Sequence, residues 1–184
     1  MKSFFVVAAA LCSLVSARPS SPFDAMAPPP SGTTFYQLQS KSSTTAVNNQ
    51  WVALQTGKTN YVLTGTQSAG SKFFIDQYKP TGTWSFRNTD DTRQLALQGA
   101  NGVLLYLVDI TNPSSSNIPS GQLMEWGTFT TDNNALGVKD GSTLTTRTFV
   151  AVKGSDNGYG LALYDGVSNT TQAISPITLS LVKV

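Results

Sequence analysis

Short runs of alternating apolar and polar residues, separated by turn-forming dipeptides, extend over most of this chain. Successive side chains in a β-strand point to opposite faces, so this two-residue period predicts half-buried strands rather than helices. Asn-Gly and Asp-Gly steps, which favour hairpin turns, occur at 101–102, 140–141, 157–158 and 165–166. The predicted strands span residues 35–40, 51–55, 61–64, 72–78, 83–88, 94–98, 103–109, 123–129, 135–138, 148–153, 160–164 and 177–184.

Three segments of the chain resemble one another: residues 51–63, 94–107 and 149–163. Each contains an apolar-Ala-apolar strand, a polar turn with glycine, and a second strand with an aromatic residue. Repetition at this scale indicates a repeated supersecondary unit. We therefore predict an all-β, single barrel-like domain and favour a β-trefoil with three similar hairpin units. A β-sandwich is the alternative, because hairpins with glycine turns are common and the repeats are unequally spaced.

The beginning of the chain differs in composition from the rest. Residues 1–17 combine a basic start, an apolar run and small residues before Arg18, a pattern typical of a secretory signal peptide. An apolar run of about 12 residues is too short for a membrane span, which needs about 20. Residues 18–32 are rich in Pro and Ser and indicate a flexible lead. We expect a secreted protein, extracellular or in a cell wall, whose residues 33–184 form the single all-β domain.

The composition argues against several classes of function. Only 12% of the residues are charged, against about 25% in ordinary proteins. The net charge is +2, and the basic residues are scattered along the chain without forming a cluster. We therefore expect neither nucleic acid nor a membrane as a partner. The chain has no histidine, and its one cysteine is Cys12 within the predicted leader. Histidine-based nucleophilic catalysis and the usual zinc sites are thereby excluded.

From this composition we expect a protein that is not an enzyme and that binds neither a cofactor nor a metal ion. The remaining catalytic alternative is an aspartate-based glycosidase, since such enzymes need only two carboxyl groups that face one bond. Asp76, Asp109 and Glu125 flank predicted strands and are the best-placed acids.

Aromatic and amide side chains are the most promising binding groups. Sugar rings present apolar C–H faces and polar rims, which suit an aromatic ring with neighbouring amides. The alternative for each ring is a place in the core. Asn169 begins an Asn-Thr-Thr sequon and is a candidate N-glycosylation site. The candidate ligand-binding residues are Trp51, Tyr61, Trp84, Tyr106, Trp126, Tyr159, Gln98, Asn101 and Asn157.

Several segments resemble the phialide-type (PhiA-like) proteins, a group of small secreted fungal cell-wall proteins. The similarity is carried by residues 35–38, Tyr61 with 73–76, 95–97 with 105–109, 121–126 and 149–152. The resemblance implies a non-enzymatic protein of the hyphal or spore wall, and it assigns no role to any single residue.

Two functional hypotheses follow besides the glycosidase. The first is a secreted fungal-type cell-wall or extracellular-matrix glycoprotein that associates with polysaccharide through surface aromatics. The alternative is a secreted β-trefoil-type protease inhibitor or host-directed effector, which would bind an extracellular protein through the loop at residues 111–121.

Overall fold

The computed structural model describes residues 29–111 and 118–184 of the chain. The all-β prediction is confirmed, since the helical segments of these residues are three short 3₁₀ turns. The predicted signal peptide, most of the proline-rich lead and residues 112–117 of the predicted inhibitor loop lie outside the described residues. The strands are β1 (Tyr36–Lys41), β2 (Trp51–Leu54), β3 (Tyr61–Thr64), β4 (Phe73–Tyr78), β5 (Thr83–Asn88), β6 (Gln94–Gly99), β7 (Leu104–Ile110), β8 (Leu123–Trp126), β9 (Phe129–Thr130), β10 (Gly137–Val138), β11 (Thr148–Lys153), β12 (Tyr159–Tyr164), β13 (Ile174–Pro176) and β14 (Thr178–Lys183).

Eight antiparallel strands form a closed barrel. Their order is β5-β4-β1-β2-β3-β12-β7-β6, and the pairing of Arg87 with Gln94 joins β6 back to β5. Closure leaves this ring without a free edge strand. The other strands add to the ring: β8 pairs with β6, β9 with β5, β11 with β12 and β14 with β1.

The three similar segments of the sequence are hairpins in the structure. They are the antiparallel pairs β2–β3, β6–β7 and β11–β12. A second series of pairings runs from β14 through β1, β4, β5 and β9 to β10. A bridge between Ala135 and Ser180 connects the segment before β10 with β14, so that this series also returns to its start.

Buried aromatic rings form the centre of the core. Phe73, Phe86 and Phe129 are fully buried, and their successive ring centroids are 6.2 Å and 5.6 Å apart. Tyr61 extends this row, 5.6 Å from Phe73. Leucines of the three hairpins surround the rings, and edge-to-face ring pairs of this kind add about 0.5–1.5 kcal/mol each beyond their buried area.

The predicted strand at residues 123–129 is wrong in one respect, because the chain turns at Gly127. This residue has φ of +64°, which a strand does not accommodate, and it separates β8 from β9. β13 was not predicted, since it has only three residues and ends at Pro176. The strand predicted at residues 135–138 is reduced to Gly137–Val138 after a turn in which Asn133 and Asn134 both have positive φ.

Candidate functional site

A groove of about 610 Å³ opens beside the hairpin β6–β7. It is bounded by the end of β6, the β6–β7 turn, the residues before β3 and the loop at 169–172. None of the described residues that line it is charged. Amides dominate the polar lining, together with Thr59, Thr170 and Thr171, and we call this region the amide groove. The amide side chains are Asn60, Gln98, Asn101, Gln122, Asn169 and Gln172.

The strand register brings Gln98 and Tyr106 together. They are directly opposite each other in the β6–β7 pair, and their side chains therefore lie on one face. Gly99 ends β6 and permits this close pairing, since a Cβ there would collide with the carbonyl oxygen of Leu104. The ring of Tyr106 is half-buried and packs against the apolar cluster that contains Val150. Gln98 and Tyr106 thus have fixed positions on a rigid hairpin.

The amides of the groove are partly engaged with one another. The Gln98 side-chain nitrogen donates to the Gln122 side-chain oxygen. The Asn101 side-chain oxygen accepts a hydrogen bond of 3.2 Å from the backbone nitrogen of Val103, which holds the exposed Asn101 at the turn. An amide has two donor hydrogens and an acceptor oxygen, so each of these groups has capacity beyond the contact named. The arrangement suits a neutral ligand with many hydroxyl groups.

The remaining candidate binding residues do not join this groove. Trp51 and Tyr61 are 9% and 2% exposed, and their rings fill the core instead of forming a ligand surface. Trp84 and Tyr159 are half-buried and pack against the same core. Asn157 is exposed in the β11–β12 turn, where it has positive φ. The structure therefore unites Gln98, Asn101, Tyr106 and the sequon residue Asn169, while Trp126 lines a different cavity.

Sequence reasoning missed Gln122 and the threonines of the groove. Gln122 directly precedes β8 in the chain, and its position beside Gln98 depends on the β6–β8 pairing. That pairing joins strands that are distant along the chain, and no local pattern indicates it. The run of polar residues at 169–172 was recognised only as a sequon.

The three carboxylates considered for catalysis line three different cavities. Asp109 is 3% exposed and accepts hydrogen bonds from the Tyr61 hydroxyl, at 3.1 Å, and from the Arg93 guanidinium. Burial and the adjacent Asp109 carboxylate raise the pKa of Tyr61 well above its usual range. Asp76 is exposed at the end of β4. Asp109 is therefore held in an internal ionic network.

Glu125 is half-buried beside Arg147, whose guanidinium also pairs with Asp140. The Arg147 Nη2 to Glu125 Oε1 distance is 3.7 Å. Burial raises the pKa of Glu125, and the nearby positive charge of Arg147 partly opposes that effect. Asp140 and Glu125 line the same small cavity, with Arg147 paired to both.

Within residues 29–111 and 118–184, no group of three or more acidic, His or Cys side chains could hold a metal ion. Over the same residues, no helix has the length and apolar character that a membrane span requires. Comparison with models of protein families, with curated proteins and with solved structures returned no match.

Proposed function

We propose that this chain is a secreted, non-enzymatic fungal-type cell-wall or extracellular-matrix protein that binds neutral polysaccharide in the amide groove. The observation that carries the proposal is the chemistry of the groove: six amides and three threonine hydroxyls lie beside the Tyr106 ring, and none of the lining residues that the structure describes is charged. Sugar hydroxyls both donate and accept hydrogen bonds, as these groups do. A neutral lining also avoids the desolvation cost that a charged side chain would impose on binding.

Fewer aromatic residues contact the ligand in this proposal than the sequence indicated. Trp51 and Tyr61 belong to the core, so stacking with a sugar ring falls to Tyr106 in the groove. The amide and hydroxyl groups then supply most of the contacts.

We further propose that the fold is a β-trefoil. In that architecture, six strands form a barrel and three hairpins close one end. The series β1-β4-β5-β9-β10-β14 corresponds to the six strands, and β2–β3, β6–β7 and β11–β12 correspond to the three hairpins. The observed eight-stranded ring would then combine β1, β4 and β5 of the barrel with strands of the hairpins.

Export and wall association are supported by the sequence. Residues 1–17 have the composition of a signal peptide, and the resemblance to phialide-type wall proteins points to the same compartment. The absence of enzyme activity is supported by the lack of histidine and by the ionic contacts of Asp109 and Glu125.

The test is retention of the secreted chain on insoluble chitin, β-glucan and intact fungal wall. We expect the wild type to be retained on at least one of these, and the double variant Gln98→Ala, Asn101→Ala to pass through. Asn157→Ala is the matched control, because Asn157 is an exposed turn amide outside the groove. Failure of the wild type to bind any of the three polymers, or equal retention of the double variant, would contradict the proposal. The same suspensions should release no reducing sugar.

A further inference from the structure

Strand β6 lies between the amide groove and a second cavity. Gln94 and Gln98 are four residues apart on this strand, so their side chains lie on the same face, about 13 Å apart along it. Gln98 lines the amide groove, whereas Gln94 lines a cavity of about 660 Å³. Ala96 lies between them on this face, is fully buried and pairs with Trp126 of β8. We call the second cavity the Trp126 pocket.

The strand pairings place two aromatic rings in the Trp126 pocket. Trp126 is half-buried in its wall, and Tyr78, at the end of β4, is 40% exposed. Gly127, which follows Trp126, packs beside Tyr78, since a Cβ at this glycine would lie 3.9 Å from the Tyr78 ring. The Trp126 pocket therefore offers two aromatic rings to a ligand, whereas the described lining of the amide groove offers one, Tyr106.

A buried acceptor and a buried donor in the pocket wall lack partners among the described residues. The side-chain oxygen of Gln94 is one of them, on a residue that is only 5% exposed. The other is Nε of Arg87, the residue directly opposite Gln94 in the β5–β6 pair. Each unsatisfied buried polar group costs about 1–3 kcal/mol. A ligand hydroxyl can donate to the first and accept from the second, so a hydroxyl-rich ligand would recover both contacts.

The charges around the Trp126 pocket are balanced. Arg87 is neutralised by Asp91, with 2.6 Å between Nη1 and the carboxylate oxygen. Asp76 and Lys79, both in the pocket lining, have opposite charges. A ligand with a net charge would gain little here, whereas a neutral sugar ring can stack on Trp126 and Tyr78.

We propose that the amide groove and the Trp126 pocket are two ends of one extended site for an internal segment of a neutral linear polysaccharide, which spans the buried middle of β6 from one cavity to the other. This inference rests on the proposed function and adds the class of ligand: a polymer long enough to reach both ends. Short oligosaccharides then occupy one end and bind weakly. Longer ones bind more tightly, because the second contact becomes intramolecular.

The test is titration calorimetry of the secreted chain with soluble β-glucan and chitin oligosaccharides of increasing length, from the disaccharide upwards. For the wild type we expect affinity to rise by at least about tenfold once both ends are reached, which corresponds to 1.4 kcal/mol. Trp126→Ala and Tyr78→Ala should each remove most of this rise, so that the longer oligosaccharides bind about as weakly as the disaccharide. Tyr78 is exposed, so its variant keeps the test valid if Trp126→Ala does not fold.

Leu123→Ala is the matched control. Leu123 lies on β8 like Trp126, but three residues away and therefore on the opposite face, where it is 50% exposed. Its variant should retain the dependence on length. Binding without any dependence on length, or with a dependence that survives both aromatic variants, would overturn the extended site and leave the proposed function standing. No binding at any length would overturn both.

Discussion

Two polar regions lie side by side at the hairpin β6–β7 and use their side chains in opposite ways. In the ionic cluster of Tyr61, Arg93 and Asp109, the Asp109 carboxylate accepts from both partners, and Arg93 also donates to its backbone oxygen at 2.8 Å. The amide groove begins next to it: the backbone nitrogen of Asp109 donates to the carbonyl oxygen of Thr59, which lines the groove, at 2.7 Å. Tyr61 and Asp109 of the first region are buried, whereas the amides of the second are at least partly exposed.

Under the proposed function, this difference separates the residues that stabilise the fold from those that bind the ligand. Removal of one partner of a buried ion pair is costly, because it leaves the other charge uncompensated. Exposed neutral amides contribute little to stability, yet they can exchange water for a ligand at low cost. Variants in the two regions should therefore have opposite effects on unfolding and on binding.

The largest expected effect is on stability in the ionic cluster. Asp109→Ala leaves the Tyr61 hydroxyl and the Arg93 guanidinium without their shared acceptor, and we expect a loss of about 3 kcal/mol in the free energy of unfolding. Urea denaturation followed by tryptophan fluorescence measures it. Tyr61→Phe, which removes a single hydrogen bond, should cost about 1 kcal/mol. A loss below 1 kcal/mol for Asp109→Ala would remove the distinction between the two regions.

The reverse effect is expected in the amide groove. The double variant Gln98→Ala, Asn101→Ala should change the free energy of unfolding by less than about 1 kcal/mol, because both side chains are at least partly exposed. Its affinity for the retained polysaccharide should fall by about tenfold or more. Both quantities can be measured on one preparation, by denaturation and by a binding isotherm on the insoluble polymer. A large loss of stability with unchanged binding would reverse the roles that we assign.

A smaller effect is expected from glycosylation of Asn169. The sequon asparagine is exposed and lines the amide groove, so an attached glycan would stand at its opening. Chain secreted from a eukaryotic host should bind polysaccharide a few-fold more weakly than the same chain after enzymatic removal of the glycan. Mass spectrometry establishes the occupancy. Equal affinities of the two forms at full occupancy would argue that the ligand enters away from residues 169–172.

The smallest effect concerns Glu125, whose raised pKa makes stability dependent on pH. Burial disfavours the ionised carboxylate in the folded state, so the folded protein takes up this proton at a higher pH than the unfolded chain. The contribution of Glu125 to stability therefore increases as the pH falls from the raised value towards 4.5, the ordinary one. At neutral pH, the free energy of unfolding of Glu125→Gln should equal that of the wild type or exceed it by up to about 0.5 kcal/mol.

Below pH 4.5, the stability difference between Glu125→Gln and the wild type should disappear. Denaturation curves at the two pH values measure it, with Leu123→Ala as a control on the same strand. A variant that is less stable than the wild type at neutral pH would mean that the attraction of Arg147 outweighs the cost of burial.

The strands and hairpins could be predicted from the sequence because their signals are local. The two-residue period and the turn dipeptides identify β2–β3, β6–β7 and β11–β12 within a few residues of their bounds. The break at Gly127 was missed, since a lone glycine in an alternating segment does not indicate which φ it adopts. β13 was missed because three residues contain too little periodicity to recognise.

The candidate site could be predicted only in part. Gln98, Asn101 and Tyr106 belong to one hairpin, so their proximity follows from local pairing. Gln122 and the loop at 169–172 join them through contacts between distant parts of the chain. The division of aromatic rings between core and surface also depends on tertiary packing: Trp51, the first residue of β2, is buried, whereas Trp126, the last residue of β8, lines a cavity.

The most direct test of the contrast between the ionic cluster and the amide groove is an NMR titration of the isotopically labelled chain. The ligand is a soluble oligosaccharide derived from the polymer on which the chain is retained. We predict that amide resonances of Gln98, Asn101, Tyr106 and Gln122 shift with a common saturation curve. Those of Arg93 and the side chain of Tyr61 should not move. Shifts confined to the ionic cluster, or to residues outside both the amide groove and the Trp126 pocket, would contradict the assignment of the amide groove as the binding site.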